Sequence, residues 1–404
     1  MAERVPVDPD EEIVFRLFRR SFLSLWSYAN PRGKEVGKEL CDTLVVCDPD
    51  IVIVSVKAPR LLDTGDAETN VDRWRRRAID ESVEQIYGAE RWVRQAPRVI
   101  RSDGSEGLPL PPVSERRIHR VAVAVGGRRQ VLIESRDFGK GFVHVFDEPS
   151  LTAVLAELDT VTDFVSYLTA KEELYQSGVL VEFAGGEEDL LALYLHRGRQ
   201  FSLPATGKVK LPDSLWKDFI CKDEYKAKKE ADKISYAWDR LVSHIGDHAL
   251  VGTLEFGSCL TGDEIVLRVM AKEHRFARRI LAAGFLDFLN RSNKIESRMC
   301  VSPSGIVYVF LAMPYDTDRR IRLVSLGSRC FVARGQNPNS SIVIGIATER
   351  HDPSRLGCTF DVHYLRIETW TAQHQVHMEG VQKDFGYFTN PQTSMVRKDE
   401  YPRG

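Results

Sequence analysis

The chain has 404 residues, 43% hydrophobic and 28% charged, with a formal net charge of −2. That length calls for two or three domains, and the composition excludes wholesale disorder. The near-neutral balance excludes a protein that coats nucleic acid through bulk charge, while leaving room for a local basic groove.

The seven cysteines, at positions 41, 47, 221, 259, 300, 330 and 358, form no C-x-x-C pair. This pattern predicts reduced thiols, no zinc site and a cytoplasmic setting. The acidic start, with Asp8, Asp10, Glu11 and Glu12, reads as no signal peptide. No apolar run approaches the roughly eighteen residues of a membrane span, so no membrane partner is expected.

Residues 11–28 place Ile13, Val14, Leu17, Phe18, Phe22, Leu25 and Trp26 at helical spacing, which predicts one amphipathic helix ended by Asn30-Pro31-Arg32-Gly33. Residues 34–40 predict a short helix carrying Glu35 and Glu39. Thr43 to Cys47 and Ile51 to Lys57 are β-branched runs around Asp48-Pro49-Asp50, and predict an antiparallel hairpin.

Alternation puts Ser55 and Lys57 on one face of the second strand. Antiparallel pairing brings the start of the first strand, with Asp42, beside them. Glu39 stands just upstream. Two carboxylates and an ammonium at one sheet end suit metal-assisted phosphodiester hydrolysis, with Mg²⁺ or Mn²⁺ on Asp42 and Glu39 and Lys57 steadying developing charge. Read blandly, Glu39 is a solvated side chain next to Lys38 and Asp42 caps a strand end.

The order acid, strand with Asp, turn, strand ending in x-x-Lys resembles the PD-(D/E)xK nuclease superfamily over residues 10–100. The resemblance implies a restriction-endonuclease-like mixed sheet flanked by helices. It also marks a departure, because Ser55 stands where the family has Asp or Glu two residues before the lysine. In a subgroup with Ser-x-Lys the missing acid comes from the following helix, which implies Asp72 as a metal ligand, with Glu81 and Glu84 further along.

A polar loop over 58–70 precedes a helix predicted over 72–95 and capped by Asn70 or Asp72. Arg73, Arg75, Arg76 and Arg77 crowd its start, and Arg73 and Arg76 are candidates for phosphate contact beside a plain solvated face. Gln85 resembles the glutamine that follows the lysine strand in exonuclease branches, which implies a nucleic-acid contact, although Tyr87 breaks the usual spacing.

Residues 101–117 read as loop. Val121 to Val125, Gly126-Gly127 and residues 128–135 predict a hairpin, and 142–146 a strand. These complete an N-terminal domain over 1–148. Residues 149–404 then form a C-terminal α+β domain of unassigned fold, with helices over 150–176, 222–244 and 264–290 and strands over 180–183, 190–195, 306–311, 342–347 and 362–365. Arg275, Arg278 and Arg279 beside Phe276 suit a nucleic-acid backbone or an ordinary helix face. Gly246 between His244 and His248 argues against a helical metal pair.

The function expected is thus a Mg²⁺-dependent nuclease acting on nucleic acid, DNA ahead of RNA. By analogy with restriction enzymes and antiviral defence effectors, an activating protein partner and homo-oligomerisation are expected for the C-terminal domain. The rival is a noncatalytic nucleic-acid-binding or assembly protein with a degraded site, which Ser55 favours.

Overall fold

The computed structural model describes residues 9–33, 39–62, 65–127, 131, 133–183, 185–201, 208–212, 214–250, 260–350, 354, 357–389 and 399–402. The chain divides into two compact units, Met1–Tyr225 and Lys226–Gly404. The boundary expected near 148 falls inside the first unit.

In the first unit, helix α1 (Pro9–Phe22) buries Val14, Phe15, Phe18 and Phe22. It ends earlier than the apolar spacing predicts, because Leu23 takes a positive φ of 67° and the chain turns into strand β1 (Ser27–Ala29). Strands β2 (Thr43–Cys47) and β3 (Asp50–Lys57) pair antiparallel with Thr43 opposite Val54, the expected hairpin. All of β2 is buried, and β3 as far as Val56.

The single helix expected over 72–95 is three consecutive segments. Helix α2 (Ala67–Arg75) is capped by Asp66, whose carboxylate accepts from Thr69 N–H, rather than by Asn70 or Asp72. A π-helical turn, Arg76–Asp80, joins it to α3 (Glu81–Val93). The sequence gives the reason: Asn70, Trp74, Ala78, Ser82, Ile86 and Glu90 are all buried at a constant spacing of four. In a 3.6-residue helix such a row drifts off one face, and a wider turn brings it back.

Strands β4 (Arg98–Ile100) and β5 (Glu106–Pro109) form a small hairpin, with β5 inside the loop expected over 101–117. Next come β6 (Arg117–Ala124), β7 (Arg136–Asp137) and β8 (Phe142–Phe146). The six-stranded mixed sheet runs β1-β2-β3-β6-β8-β7, with β6 parallel to both its neighbours, β3 and β8. The Gly126-Gly127 hairpin is therefore corrected: β6 has no antiparallel partner, and among the described residues 131 and 133–135 are not strand. Gly126 instead takes φ +85° and, with Gly127, lies against Pro59 and Trp74, where Cβ atoms would collide.

Helix α3 packs on the sheet face that carries Ser55 and Arg120. The opposite face carries Phe142, His144 and Phe146. It meets α5 (Val161–Gln176) through Tyr175 and Lys171, with α1 alongside through Phe18, Phe22 and Phe164. Helix α4 (Glu148–Glu157) is separate from α5, because Thr160 caps a new start by accepting from Asp163 N–H, so one predicted helix becomes two. Strands β9 (Leu180–Phe183) and β10 (Lys208–Leu211) pair in parallel around α6 (Glu187–His196), which replaces the strand expected over 190–195, and α7 (Leu215–Cys221) follows.

Helix α8 (Asp223–Asp232) contains the unit boundary. The second unit continues through α9 (Tyr236–Leu250), α10 (Leu260–Ala271) and α11 (Arg275–Asn290). Strands β11 (Ser297–Val301), β12 (Val307–Met313), β13 (Ile342–Glu349) and β14 (Phe360–Arg366) form a mixed sheet in that order, with α12 (Arg319–Gln336) between β12 and β13 and α13 (Ala372–Phe385) last. Val307, Val309 and Leu311 join Leu326, Cys330 and Ala333 of α12 in one core cluster, while Tyr308 and Phe310 meet Trp238 and Phe285. Gly246 lies within α9, contrary to expectation, and His244 packs on Phe360. No helix among the described residues is long and apolar enough to cross a membrane.

Candidate active site

Strand pairing brings three of the expected residues together. Continuing the β2–β3 register one step sets Asp42 opposite Ser55, and the Asp42 carboxylate accepts a hydrogen bond from Val56 N–H. Lys57 Nζ stands 4.0 Å from Asp42 Oδ2. Ser55 is fully buried and donates to Gln85 Oε1 of α3 at 2.8 Å. Asp42 is itself 3% exposed, a carboxylate inside the protein with an ammonium at its edge.

Glu39 is in extended chain rather than on a helix. It forms an isolated antiparallel bridge with Arg32, while Glu35 lies outside the described residues. With its side-chain nitrogen turned toward two acceptors, Asn30 donates to Asp42 O at 2.9 Å and to Glu39 Oε1 at 3.0 Å. Asn30 has a positive φ of 44° and also donates from its backbone to Asp42 O. The sequence pattern marks Asn30 only as a helix breaker, yet Asn is among the residues that tolerate this backbone region, and that tolerance is the signal it carries.

Desolvation pushes the Glu39 carboxyl up to about 7, aided by the charge of Asp42 and opposed by Lys57. Glu39 as a whole keeps an exposed surface, so the desolvation is local to its carboxyl end. Burial also raises Asp42, against Lys57, the Val56 N–H, and hydrogen bonds from the Ser55 and Gln85 side chains. Cys41, buried between the two acids, is raised well above its ordinary value by desolvation and then by Asp42 and Glu39. Two carboxylates that resist ionising together are a fitting donor pair for a divalent cation, since Mg²⁺ takes one or two carboxylates and fills its shell with water and phosphate oxygens.

The other candidates are elsewhere. Asp72, Arg73 and Arg76 are exposed on α2 and the π turn, as are Glu81 and Glu84 on α3. Among the described residues no group of three or more His, Cys, Asp or Glu able to hold a metal forms. Gln85, an amide, is the α3 side chain that reaches the site.

Arg275, Arg278 and Arg279, read from sequence as one edge of a helix, are all nearly fully buried. Asp239 takes Arg275 at 2.7 Å and Arg278 at 2.6 Å, and Asp232 takes Arg279 at 3.2 Å. They hold the second unit together and present no charge to a nucleic-acid backbone. Lys228 is also buried and pairs with Asp232 at 2.7 Å.

No known protein family, curated protein or solved structure matches the chain.

Proposed function

We propose that the first unit is a restriction-endonuclease-like, metal-dependent nuclease that hydrolyses phosphodiester bonds, with DNA as the favoured substrate. The observation that carries this is the convergence of Glu39, Asp42 and Lys57 at one end of the β2–β3 hairpin. Glu39 and Asp42 would hold Mg²⁺ or Mn²⁺, and such a metal supplies Lewis acidity and an activated water.

The chain's own side chains do the rest. Lys57 places a positive charge next to the carboxylate pair, where it can meet a scissile phosphate oxygen and oppose the negative charge that develops there. Asp42 is fixed by Val56 N–H, so it cannot swing away from the lysine that follows on the same strand. Ser55 and Gln85 hold its remaining edge, and Asn30 orients Glu39.

The test is incubation of the protein and its Lys57→Ala variant with plasmid, linear and single-stranded nucleic acids in Mg²⁺, Mn²⁺ or EDTA. Cleavage by the wild type alone, abolished by EDTA, is the expected result. Equal cleavage by both proteins would refute the assignment. A second reading, a noncatalytic nucleic-acid-binding protein, is favoured by Ser55 in a carboxylate's place. It predicts substrate retained in a gel shift with no cutting under any metal.

A further inference from the structure

The β4–β5 hairpin sits against the same chain segment that supplies Glu39. Arg32, bridged to Glu39 on one side, donates its backbone N–H to Ile100 O at 2.9 Å on the other. Its guanidinium reaches along the hairpin to the turn: a Cβ added to Gly104 would stand 3.1 Å from Arg32 Nη1, and Gly104 has φ +89°. The backbone favours a glycine there, and an added Cβ would press on the end of the arginine.

Arg101 starts this same turn, accepting from Gly104 N–H and donating to Ser105 O. Its guanidinium carbon lies 5.4 Å from the centre of the Tyr28 ring. Tyr28 is itself fixed, because its hydroxyl accepts from Leu108 N–H at 3.0 Å and its ring closes on Gly107. The stacked guanidinium is held in place with its edge donors still available.

Glu106 of the hairpin pairs with Arg98, and Asp103 accepts from Ser105 N–H and Oγ while the charge of Arg101 also acts on it. Among the described residues, neither Arg32 nor Arg101 is ion-paired to a carboxylate, whereas Arg94, Arg117 and Arg120 of the same unit all are. Two half-buried, positioned guanidinium groups beside an acidic site can take an anion from outside. Their fork geometry matches phosphate oxygens.

We propose that Arg32 and Arg101 form a phosphate-binding rim that takes the DNA backbone next to the Glu39 edge of the candidate site. This rests on the nucleic-acid reading of that site. It assigns the contact to the β4–β5 side rather than to Arg73 and Arg76 on α2.

The test uses the full chain and a fluorescein-labelled DNA duplex in Ca²⁺, with affinity measured across a salt series. Removing one phosphate-binding cation lowers the slope of log affinity against log salt by about one, so Arg32→Ala with Arg101→Ala should flatten it by about two and weaken binding roughly tenfold. Replacing both by lysine keeps the charge without the fork, and should restore the slope but only part of the affinity. Unchanged slope and affinity in the double alanine variant, with wild-type thermal unfolding, would overturn the rim, as would a wild type with no salt-dependent binding.

Cutting is scored on the same proteins in Mg²⁺. Salt-dependent binding through the rim without cleavage refutes the nuclease and keeps the rim. Cleavage with undiminished affinity in the double variant refutes the rim alone.

Discussion

The Asp42 carboxylate accepts the N–H of Val56, the residue between Ser55 and Lys57, so the acid of one strand is tied to the backbone that carries the lysine on the next. Asp42→Asn keeps an acceptor for that N–H but removes the charge, whereas Asp42→Ala leaves a buried donor unpaired. The alanine variant should therefore be less stable than the asparagine variant by about 1–3 kcal/mol in denaturant titrations. Both should lose cleavage by about 100-fold or more. Equal stability of the two would show that the N–H finds another partner.

Glu39 has its folded pKa raised from the ordinary range to about 7. The folded state therefore binds this proton more tightly than the unfolded state, and stability falls as pH rises from about 4.5 through 7. Thermal unfolding of the metal-free protein should show a component of that sign, absent in Glu39→Gln. If the variant keeps the full slope over this window, the proton belongs to another group.

Divalent cations should act in the opposite direction to the proton. Because Mg²⁺ or Ca²⁺ favours the ionised pair, the melting temperature should rise on adding either ion, more at about pH 8 than at about pH 5. Chelation should reverse it. Wild type and Asp42→Asn showing identical increments would exclude Asp42 as a ligand.

Ser55 and Gln85 meet in a single hydrogen bond between strand and helix. In a double-mutant cycle with Ser55→Ala and Gln85→Ala, the coupling should be about 0.5–1.5 kcal/mol. A coupling near zero would mean that α3 is placed without this bond.

In the second unit, Asp239 neutralises two buried arginines. Asp239→Ala should cost about 3–5 kcal/mol by stranding those charges. Arg278→Ala should likewise destabilise while leaving DNA affinity of the folded fraction unaltered, as measured by fluorescence anisotropy. A selective fall in affinity with unchanged stability would restore these arginines as nucleic-acid contacts.

The β2–β3 hairpin was legible because β-branched runs flank an Asp-Pro-Asp turn, and strand alternation then dictates which side chains meet. Helix breaks were less so. The apolar period runs on through the residues near Thr160 and His274, and only the caps these residues form reveal a separate helix on each side. Leu190 to Leu195 is apolar at almost every position, as a buried strand would be, but it is a helix buried on most sides, started by Glu187, Glu188 and Asp189. Arg275 and Arg278 look like surface charge until Asp239, more than thirty residues earlier, is brought to them. Gln85 was visible as a residue, but not as the one that α3 delivers, because delivery depends on the wide turn before it.

That turn makes the spacing between Trp74 and Gln85 a matter of counting. Five residues of π geometry advance about as far round the helix axis as four of α geometry, so one residue removed from Arg76–Asp80 would let an ordinary α-turn form and still leave Gln85 toward Ser55 and Glu90 toward Arg120. One residue removed between Glu81 and Gln85 would instead turn both away by about 100°. The wide turn is thus the place along this helix where the length of the chain can change without moving the site.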